Sequence, residues 1–184
     1  MGDYKLYDKP SVIIHADGTQ ESYQHGLLHR NDDKPSVIYT DGTQEWYQHG
    51  LLHRDNDKPA IIKSDGTQEW YQHGEFHRDG DKPAIIDSDG SQYWHRFGLL
   101  HRDNDKPAMI LSNVTHKWYH HGLLHRDSVD VDNNNMCKPA IIGSDGTQLW
   151  YKNGILLKVN KVNKVNKVNK VNKVNKVNKV NKKK

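Results

Sequence analysis

Cysteine and long hydrophobic runs are almost absent from this sequence of 184 residues. Cys137 is the only cysteine, so an intramolecular disulfide is excluded, which favours a reducing compartment. No stretch approaches the ~20 apolar residues that a membrane-spanning helix needs, and the first residues lack the apolar run of a secretory signal peptide. These absences predict an intracellular, cytoplasmic protein with no transmembrane segment.

Helix-forming segments are also missing, because glycine or proline interrupts each candidate helix before ten periodic residues accumulate. Hydrophobic residues make up only 34% of the chain, which is too polar for a thick globular core. Trp, Tyr and Ile are prominent among them, and these residue types favour strands. The composition therefore predicts an all-β protein built on a thin sheet.

The chain does contain a repeat, marked by a lysine–proline step. The prolines of the six steps are Pro10, Pro35, Pro59, Pro83, Pro107 and Pro139. Successive steps are 25, 24, 24, 24 and 32 residues apart. A fixed period of this size is typical of a stack of similar small units, which has a long repeated surface in place of one closed core.

The third unit shows the pattern of one repeat. Pro59 cannot donate to a sheet, so it should precede a first strand over residues 60–64. An Asp-Gly pair then supplies a tight turn, and residues 67–73 form a second strand. Two strands per unit predict an elongated antiparallel meander of about six stacked β-hairpin repeats, roughly 55–60 Å long at ~4.8 Å per strand.

A ladder of tryptophans is the expected buried spine. Side chains alternate across a strand, so Trp70 and Tyr71 should point to opposite faces. Tryptophan is the bulkiest side chain that recurs from unit to unit. The first unit has Ser22 at this place, which predicts an exposed capping unit. The ladder consists of Trp46, Trp70, Trp94, Trp118 and Trp150.

Three irregularities predict local departures from the repeat. One extra residue in the first unit predicts a β-bulge near His15. Asn113-Val114 replaces the Asp-Gly pair of the fifth unit and predicts a looser turn. Eight extra residues within 128–137 belong in a loop, which places the His-Arg-Asp loops on a solvent-facing edge. Cys137 lies in this insertion, as an exposed thiol.

The arrangement D-G-x-x-x-W-Y-x-x-G-x-L-H-R-x-x-x-K-P-A recurs over about residues 8–157. It resembles MORN-type repeats, especially their variant form, and is similar to W-Y-x-x-G-x-x-H-R repeat proteins of giant DNA viruses and phages. A viral chain would act in the cytoplasm of its host cell. The resemblance implies a β-hairpin array used as a scaffold or adaptor, and no reaction. An antitoxin-like or immunity role is a further implication of the resemblance alone.

Histidine is abundant, with 13 in the chain, but its spacing argues against a shared metal ion. Equivalent residues of adjacent units should lie two strands apart, about 9–10 Å, whereas zinc needs nitrogen ligands at roughly 2.0–2.1 Å. His120 and His121 would point to opposite faces if both lay in one strand. The pattern predicts histidines that are structural or that bond within the loops, and no metal-binding residues.

Other site chemistry is not indicated. The acidic run Asp79-Gly80-Asp81 lacks the pattern of a calcium loop and is more typical of a turn. Guanidinium groups such as that of Arg78 are expected to pair with neighbouring loop carboxylates. The sequence has no nucleophile elbow, P-loop or zinc-protease helix. We therefore expect no catalytic residues, no cofactor and no enzymatic activity.

The leading hypothesis is a non-enzymatic repeat scaffold that presents one aromatic and histidine face to an unknown protein partner. A sheet with two open edges could also pair end to end with a second copy. The residues expected on the interaction face are Tyr47, Tyr71, Tyr119, His49, His73 and His121.

The segment 158–184 differs from the repeat domain over 1–157. It reads Lys-Val-Asn eight times and ends in three lysines, with 11 lysines and no acid, whereas the rest has 16 basic and 23 acidic residues. A period of three fits neither helix nor strand, so we expect a disordered tail. It could bind nucleic acid or an anionic membrane surface, or be a neutral expansion of a coding repeat. The candidate polyanion contacts are Lys158, Lys161, Lys164, Lys182, Lys183 and Lys184.

Overall fold

The computed structural model describes residues 10–127, 129–130 and 136–161, and in this part of the chain it contains strands and no helix. There are 24 short strands, numbered β1 to β24 in chain order. Fourteen of them form one long antiparallel sheet. The predicted all-β antiparallel meander of stacked hairpins is confirmed. The described residues include no helix that could cross a membrane.

The long sheet takes two strands from each of the four inner units and three from the first and the last unit. Its strands are β1 (Ser11–Ile14), β2 (Gln20–Gln24), β3 (Leu27–Leu28), β4 (Val37–Ile38), β5 (Gln44–Glu45), β8 (Ile61–Ile62), β9 (Gln68–Glu69), β12 (Ile85–Ile86), β13 (Gln92–Tyr93), β16 (Met109–Ile110), β17 (His116–Lys117), β22 (Ile141–Ile142), β23 (Gln148–Lys152) and β24 (Ile155–Asn160). They pair in chain order from β1 to β24, with β3 on β2 as a side branch. The outermost strands are β1 and β24.

The remaining strands form five separate two-stranded ribbons. Their members are β6 (Tyr47–Gln48) with β7 (Leu51–Leu52), β10 (Tyr71–Gln72) with β11 (Glu75–Phe76), β14 (His95–Arg96) with β15 (Leu99–Leu100), β18 (Tyr119–His120) with β19 (Leu123–Leu124), and β20 (Val129–Asp130) with β21 (Met136–Cys137). Four of the five ribbons, all except β20–β21, occupy the same position within their units, directly after the tryptophan. Each of these units therefore has two hairpins, where the sequence predicted one.

The first hairpin of the third unit forms as predicted. β8 and β9 are joined by a turn in which Gly66 has a φ of 90° and donates its N–H to the Lys63 carbonyl at 3.0 Å. The Asp65 carboxylate accepts the Thr67 N–H at 2.8 Å. Asp and Gly are required here because the carboxylate satisfies a turn N–H and only glycine adopts this φ without strain.

The predicted second strand over 67–73 is wrong in one respect, because it divides at Trp70. The Trp70 N–H donates to Ala84 of the next unit at 2.7 Å, whereas its carbonyl accepts from His77 of its own unit at 3.1 Å. The chain leaves the long sheet at this residue and enters the ribbon β10–β11. His73 and Gly74 make the ribbon turn with φ of 51° and 85°, as a two-residue hairpin with both central φ positive requires.

The tryptophan spine is confirmed for its four central members. Trp46, Trp70, Trp94 and Trp118 are all buried, whereas Trp150 near the end of the sheet is only half-buried. A second buried row runs beside it, formed by fully enclosed alanines. Its members are Ala60, Ala84, Ala108 and Ala140. Large rings and small methyl groups thus alternate along the array, which lets neighbouring units approach closely.

The first unit has an exposed outer strand, as a capping unit should, since all four residues of β1 are exposed. Ser22 itself is buried, at 6% exposure, because its backbone donates to Ser36 and accepts from His29 inside the array. The extra residue causes no bulge near His15, since β1 and β2 pair in continuous register from Ser11 to Ile14. The predicted bulge at this place is therefore wrong. In the described sheet, a register shift occurs between Trp150 and Tyr151 instead.

The insertion lies on the loop edge, as predicted. β20 and β21 pair within it as an extra hairpin. The Arg126 guanidinium still donates to the Pro139 carbonyl at 3.2 Å, as Arg102 does to Pro107 at 3.2 Å without an insertion. The added residues therefore leave the unit boundary unchanged. Cys137 is half-buried where exposure was predicted, and its carbonyl accepts the indole N–H of Trp150.

The turn of the fifth unit has the same backbone hydrogen bonds as the others, so the predicted looser turn is wrong. Val114 donates to Leu111 at 2.8 Å and adopts a φ of 60°. A β-branched residue is strained in this region because its side chain crowds the backbone. The strain is therefore stored in a turn of normal shape.

Val114→Gly is expected to raise the free energy of unfolding by about 1 kcal/mol, because it removes this strain and the exposed valine side chain loses no packing. Urea unfolding would measure the change. The reciprocal variant Gly66→Val is the matched control and should destabilise by a similar amount, since a methyl group at Gly66 meets no described atom within 4 Å. Equal stability of all three chains would contradict the assignment of strain.

The last described strand reaches into the basic segment. β24 ends at Asn160, and Lys158 lies opposite Trp150 in the ladder with β23. The first Lys-Val-Asn triplet is therefore a strand, where the sequence predicted disorder. The prediction for residues 162–184 lies outside the described part of the chain.

Candidate functional site: the loop edge of the array

An arginine in each loop connects three successive units. In the third unit, Arg78 donates from Nε and Nη2 to the two oxygens of Asp57 at 2.7 and 3.2 Å, and from Nη1 to the Pro83 carbonyl at 3.3 Å. Its guanidinium carbon lies 3.7 Å from the centre of the Trp70 ring. The expected pairing of loop arginines with neighbouring carboxylates is confirmed, and the cation–π contact was not foreseen.

Two further bonds complete what we call the arginine clamp. Lys82 contacts the Asp57 carboxylate at 2.6 Å, and the Trp70 indole donates to the Asp57 carbonyl at 3.0 Å. Four clamps follow one another along the array. Their Asp, Arg and Lys residues are Asp33, Arg54 and Lys58; Asp57, Arg78 and Lys82; Asp81, Arg102 and Lys106; and Asp105, Arg126 and Lys138.

The clamps shift the ionisation of their carboxylates. The hydrogen bonds from Arg78 and then Lys82 lower the pKa of Asp57 to about 2, and those from Arg102 and Lys106 lower the pKa of Asp81 to about 2. Both oxygens of Asp81 are occupied by these cations. Within the run 79–81, Asp81 therefore holds arginine and lysine, whereas Asp79 bonds to Gln72 and His77.

Acid should destabilise the array through these groups. A carboxylate with a folded pKa near 2 and an unfolded pKa of about 3.9 stabilises the fold above pH ~4, and the contribution disappears as the pH falls from about 5 to 2. Because the carboxylates of Asp57 and Asp81 are about 40% exposed, solvent screening reduces the effect to about 1 kcal/mol or less per clamp. Urea unfolding between pH 5 and 2 would measure this loss.

Asp81→Asn is the control for the acid effect, since it removes one titrating carboxylate and should flatten the dependence of stability on pH. Added salt should weaken the effect as well. Stability that is constant or rises on acidification would contradict this account of the clamps.

The loop histidines bond within the array, as predicted. His53 donates from Nε2 to Asp55 at 3.2 Å, and its Nδ1 accepts the backbone N–H of His73 at 3.3 Å. The rings of His53 and His73 stack at 4.8 Å. The contact therefore joins residues 20 apart in the sequence, because a loop histidine of one unit meets the ribbon turn of the next. Equivalent positions are 24 residues apart, so the period of the repeat does not reveal this contact.

The tyrosines of the expected interaction face have different neighbours from the histidines. Tyr71 is half-buried, donates its hydroxyl to Glu69 at 3.0 Å and packs on Phe76 at 4.2 Å. Burial, together with the Glu69 charge, raises its pKa. Tyr47 bonds to Glu45 in the same way. Tyr119 is half-buried as well, whereas His49, His73 and His121 are exposed at the ribbon turns. The predicted face thus comprises two separate rows.

A row of shallow pockets opens along the loop edge. Four of them lie between consecutive His-Arg-Asp loops, with volumes of about 290, 330, 150 and 180 Å³ in chain order. Each is lined by two neighbouring loops and by the tryptophan-containing segment between them. In the second pocket these groups include His53, Trp70, Tyr71, Gln72 and His77. Sequence reasoning placed the loops at one edge but did not foresee pockets between them.

The residues that follow the ribbon glycines form a further row along the array, for which the sequence predicted no role. Its leucines are about half exposed, and each lies against the ribbon glycine of the next unit, as Leu27 does at Gly50 and Leu51 at Gly74. Glycine suits these places because the φ of 78° at Gly50 and 85° at Gly74 would strain any other residue. The exposed apolar members are Leu27, Leu51, Leu99, Leu123 and Ile155.

His120 and His121 do not point to opposite faces, because His121 lies in the ribbon turn with a φ of 47° rather than in a strand. Their rings lie 4.3 Å apart, and both are near His101. The distance argument against a shared metal ion covers equivalent residues only, so it does not apply to these three histidines, which occupy different positions of the repeat.

Two of the candidate polyanion contacts fall in the described part of the chain. Lys158 lies 4.9 Å from the centre of the Trp150 ring, and Lys161 follows the end of β24. Lys164, Lys182, Lys183 and Lys184 lie outside the described residues. No family model matches this chain, and a search of curated proteins also finds no match.

Proposed function

We propose that this chain is a non-enzymatic repeat scaffold that binds an extended segment of a partner protein along its loop edge. The observation that carries the proposal is the row of four equivalent pockets between consecutive loops. Equivalent pockets in a line suit a ligand that is itself repetitive and extended, and each pocket combines aromatic walls with polar groups.

The spacing of the units favours a particular backbone conformation in the partner. Each unit adds two strands to the long sheet, or about 9.6 Å at ~4.8 Å per strand. A polyproline II segment has three residues per turn with a rise of about 3.1 Å each, so every third side chain recurs at about 9.3 Å. Such a segment would place one side chain at each pocket, and aromatic-lined grooves are a known way of binding this conformation.

The clamp contacts support a binding role over a catalytic one. The charged groups that line the second pocket include Arg78 and Lys82, both engaged with Asp57. A guanidinium and an ammonium held by a carboxylate are fixed in position and not poised for reaction. Rigid walls reduce the entropy lost on binding.

An array of polyproline II peptides, each with one varied position in every three, would test the proposal. Gln48 and Gln72 line two pockets, and Arg96 occupies the equivalent place in the fourth unit, so Gln48→Arg with Gln72→Arg should fold. We expect this double variant to lose at least tenfold in affinity for the peptides that the original chain selects.

The matched control carries the same changes away from the pockets, at the exposed Gln20 and Gln68 of the long sheet. It should bind as the original chain does. Equal binding by both double variants, or no selection of peptides with a period of three, would overturn the proposal.

Polyanion binding is a second candidate, favoured by the 11 lysines and no acid after residue 157. Retention on duplex DNA at low salt, and its loss when residues 162–184 are removed, would support it. The antitoxin-like role and the MORN relationship rest on the sequence resemblance alone, and end-to-end pairing of β1 with β24 remains a prediction.

A further inference from the structure

Three histidines meet where the fourth and fifth units join. His101 comes from the loop of the fourth unit, whereas His120 ends β18 and His121 begins the ribbon turn of the fifth. One nitrogen from each ring lies within 4.8 Å of the other two. His101 is 5% exposed, whereas the other two rings are exposed, so the cluster has a fixed inner side and an open outer side.

We propose that His101, His120 and His121 form a binding site for a divalent transition-metal ion of the zinc class. Neutral imidazole is a good ligand for zinc, copper and nickel, whereas calcium and magnesium prefer oxygen. Three histidines leave one coordination position open, which solvent can fill.

The required movement is small. Zinc–nitrogen bonds of 2.0–2.1 Å in a tetrahedron place the ligand nitrogens about 3.3 Å apart. The cluster must therefore contract by about 1.5 Å. His101 is enclosed, so the exposed rings of His120 and His121 make this movement by rotation of their side chains.

A carboxylate adjoins the cluster at His101. His101 Nδ1 accepts the backbone N–H of His121 at 3.3 Å, so Nε2 carries the ring proton in this structure. To bind the ion through Nε2 and remain a neutral imidazole, the ring must transfer this proton to Nδ1, which breaks the bond from His121. Asp103 lies 2.9 Å from this Nε2 and can then serve as an oxygen ligand or hydrogen-bond acceptor. Arg96 contacts the other oxygen of Asp103 at 2.8 Å and limits its negative charge.

A second carboxylate lies near His120, beyond the His125 ring. Asp127 lies 2.7 Å from His125, and the His125 ring lies 5.7 Å from that of His120. The bond from His125, with smaller effects of the Lys152 and His120 charges, lowers the pKa of Asp127, so it is anionic at neutral pH. The negative charge of each carboxylate favours a cation near these histidines.

The site depends on His120, a histidine at a position of the repeat where other units have a different residue. At the place of His120, the second, third and fourth units have Gln48, Gln72 and Arg96. The junctions with Gln48 and Gln72 each keep a pair of neighbouring histidine rings, His29 with His49 and His53 with His73. Within the described residues, this is the one group of three potential ligands that are close enough together.

Isothermal titration of the untagged full-length chain with ZnCl2 at pH 7.5 tests the inference. We expect one ion per chain, with binding that weakens below pH ~6 because zinc competes with protons for imidazole. His120→Gln should weaken binding by roughly tenfold or more. It should also fold normally, since glutamine already occupies this place at Gln48 and Gln72, and circular dichroism would verify this.

The reverse substitution gives an independent result. Gln72→His adds the missing ligand beside His53 and His73 and should raise the stoichiometry from one ion to two. Cobalt in place of zinc should give the visible absorption of a tetrahedral centre, which a surface-bound ion would not. The proposal is overturned if the original chain binds no zinc, or if His120→Gln binds it equally well.

Discussion

Trp70→Ala should lower the free energy of unfolding by about 3–5 kcal/mol, the usual cost of removing a buried aromatic side chain. Trp70 is 5% exposed, lies under the Arg78 guanidinium and donates its indole N–H to Asp57. Its loss leaves a cavity and removes the surface on which the clamp arginine rests. Urea unfolding followed by far-ultraviolet circular dichroism would measure the change.

Trp150→Ala is the matched control, because Trp150 is half-buried near the end of the sheet. It should cost only about 1–2 kcal/mol. Since each unit contacts chiefly its neighbours, the defect at Trp70 should also divide one cooperative transition into two, whereas the terminal defect should not. Equal losses in the two variants would show that the tryptophans do not form a spine.

The second large effect is expected for Arg78→Ala, at about 2–3 kcal/mol. The substitution removes a bidentate ion pair and a cation–π contact, and it leaves the Pro83 carbonyl without its donor. Arg78→Lys should recover only part of the loss, because an ammonium group cannot bind both oxygens of Asp57 while stacking on Trp70.

Arg96→Gln separates this effect from the loss of a positive charge. Arg96 also contacts an aspartate, but its side chain is 48% exposed against 14% for Arg78. Exposed pairs are worth little, so we expect a change below about 0.5 kcal/mol. Glutamine at the equivalent Gln48 and Gln72 shows that the fold accepts it. A loss as large as that of Arg78→Ala would mean that net charge, rather than the clamp, is what matters.

The sequence was sufficient for features that depend on one residue type in one place. The Asp-Gly turn at 65–66 and the buried Trp70 follow from backbone freedom and side-chain size, and five of the six units repeat each of them. The pairing of Arg78 with a loop carboxylate follows from charge. These features are local or periodic, so a single sequence reveals them.

Contacts between non-equivalent positions of neighbouring units were not predicted. The period of 24 shows which residues are equivalent, but contacts such as His53 with His73 join residues 20 apart. The strands of the inner units are two residues long, too short for alternation to show where Trp70 leaves the sheet. One signal was available: Asn153-Gly154 in the last unit is a typical two-residue hairpin turn and marks the ribbon turn of every unit.

The clamp also has a consequence for how the chain can change in length. Each arginine reaches back to one unit and forward to another, so a duplicated or deleted block of 24 residues finds the same partners at both of its ends. Inserting or deleting part of a 24-residue block would separate an arginine from its carboxylate. The exception is an insertion between the arginine and the following proline, such as the one after Arg126, because the bond to the proline carbonyl still forms there. The array can therefore lengthen or shorten in steps of about 9.6 Å, one for each duplicated or deleted unit.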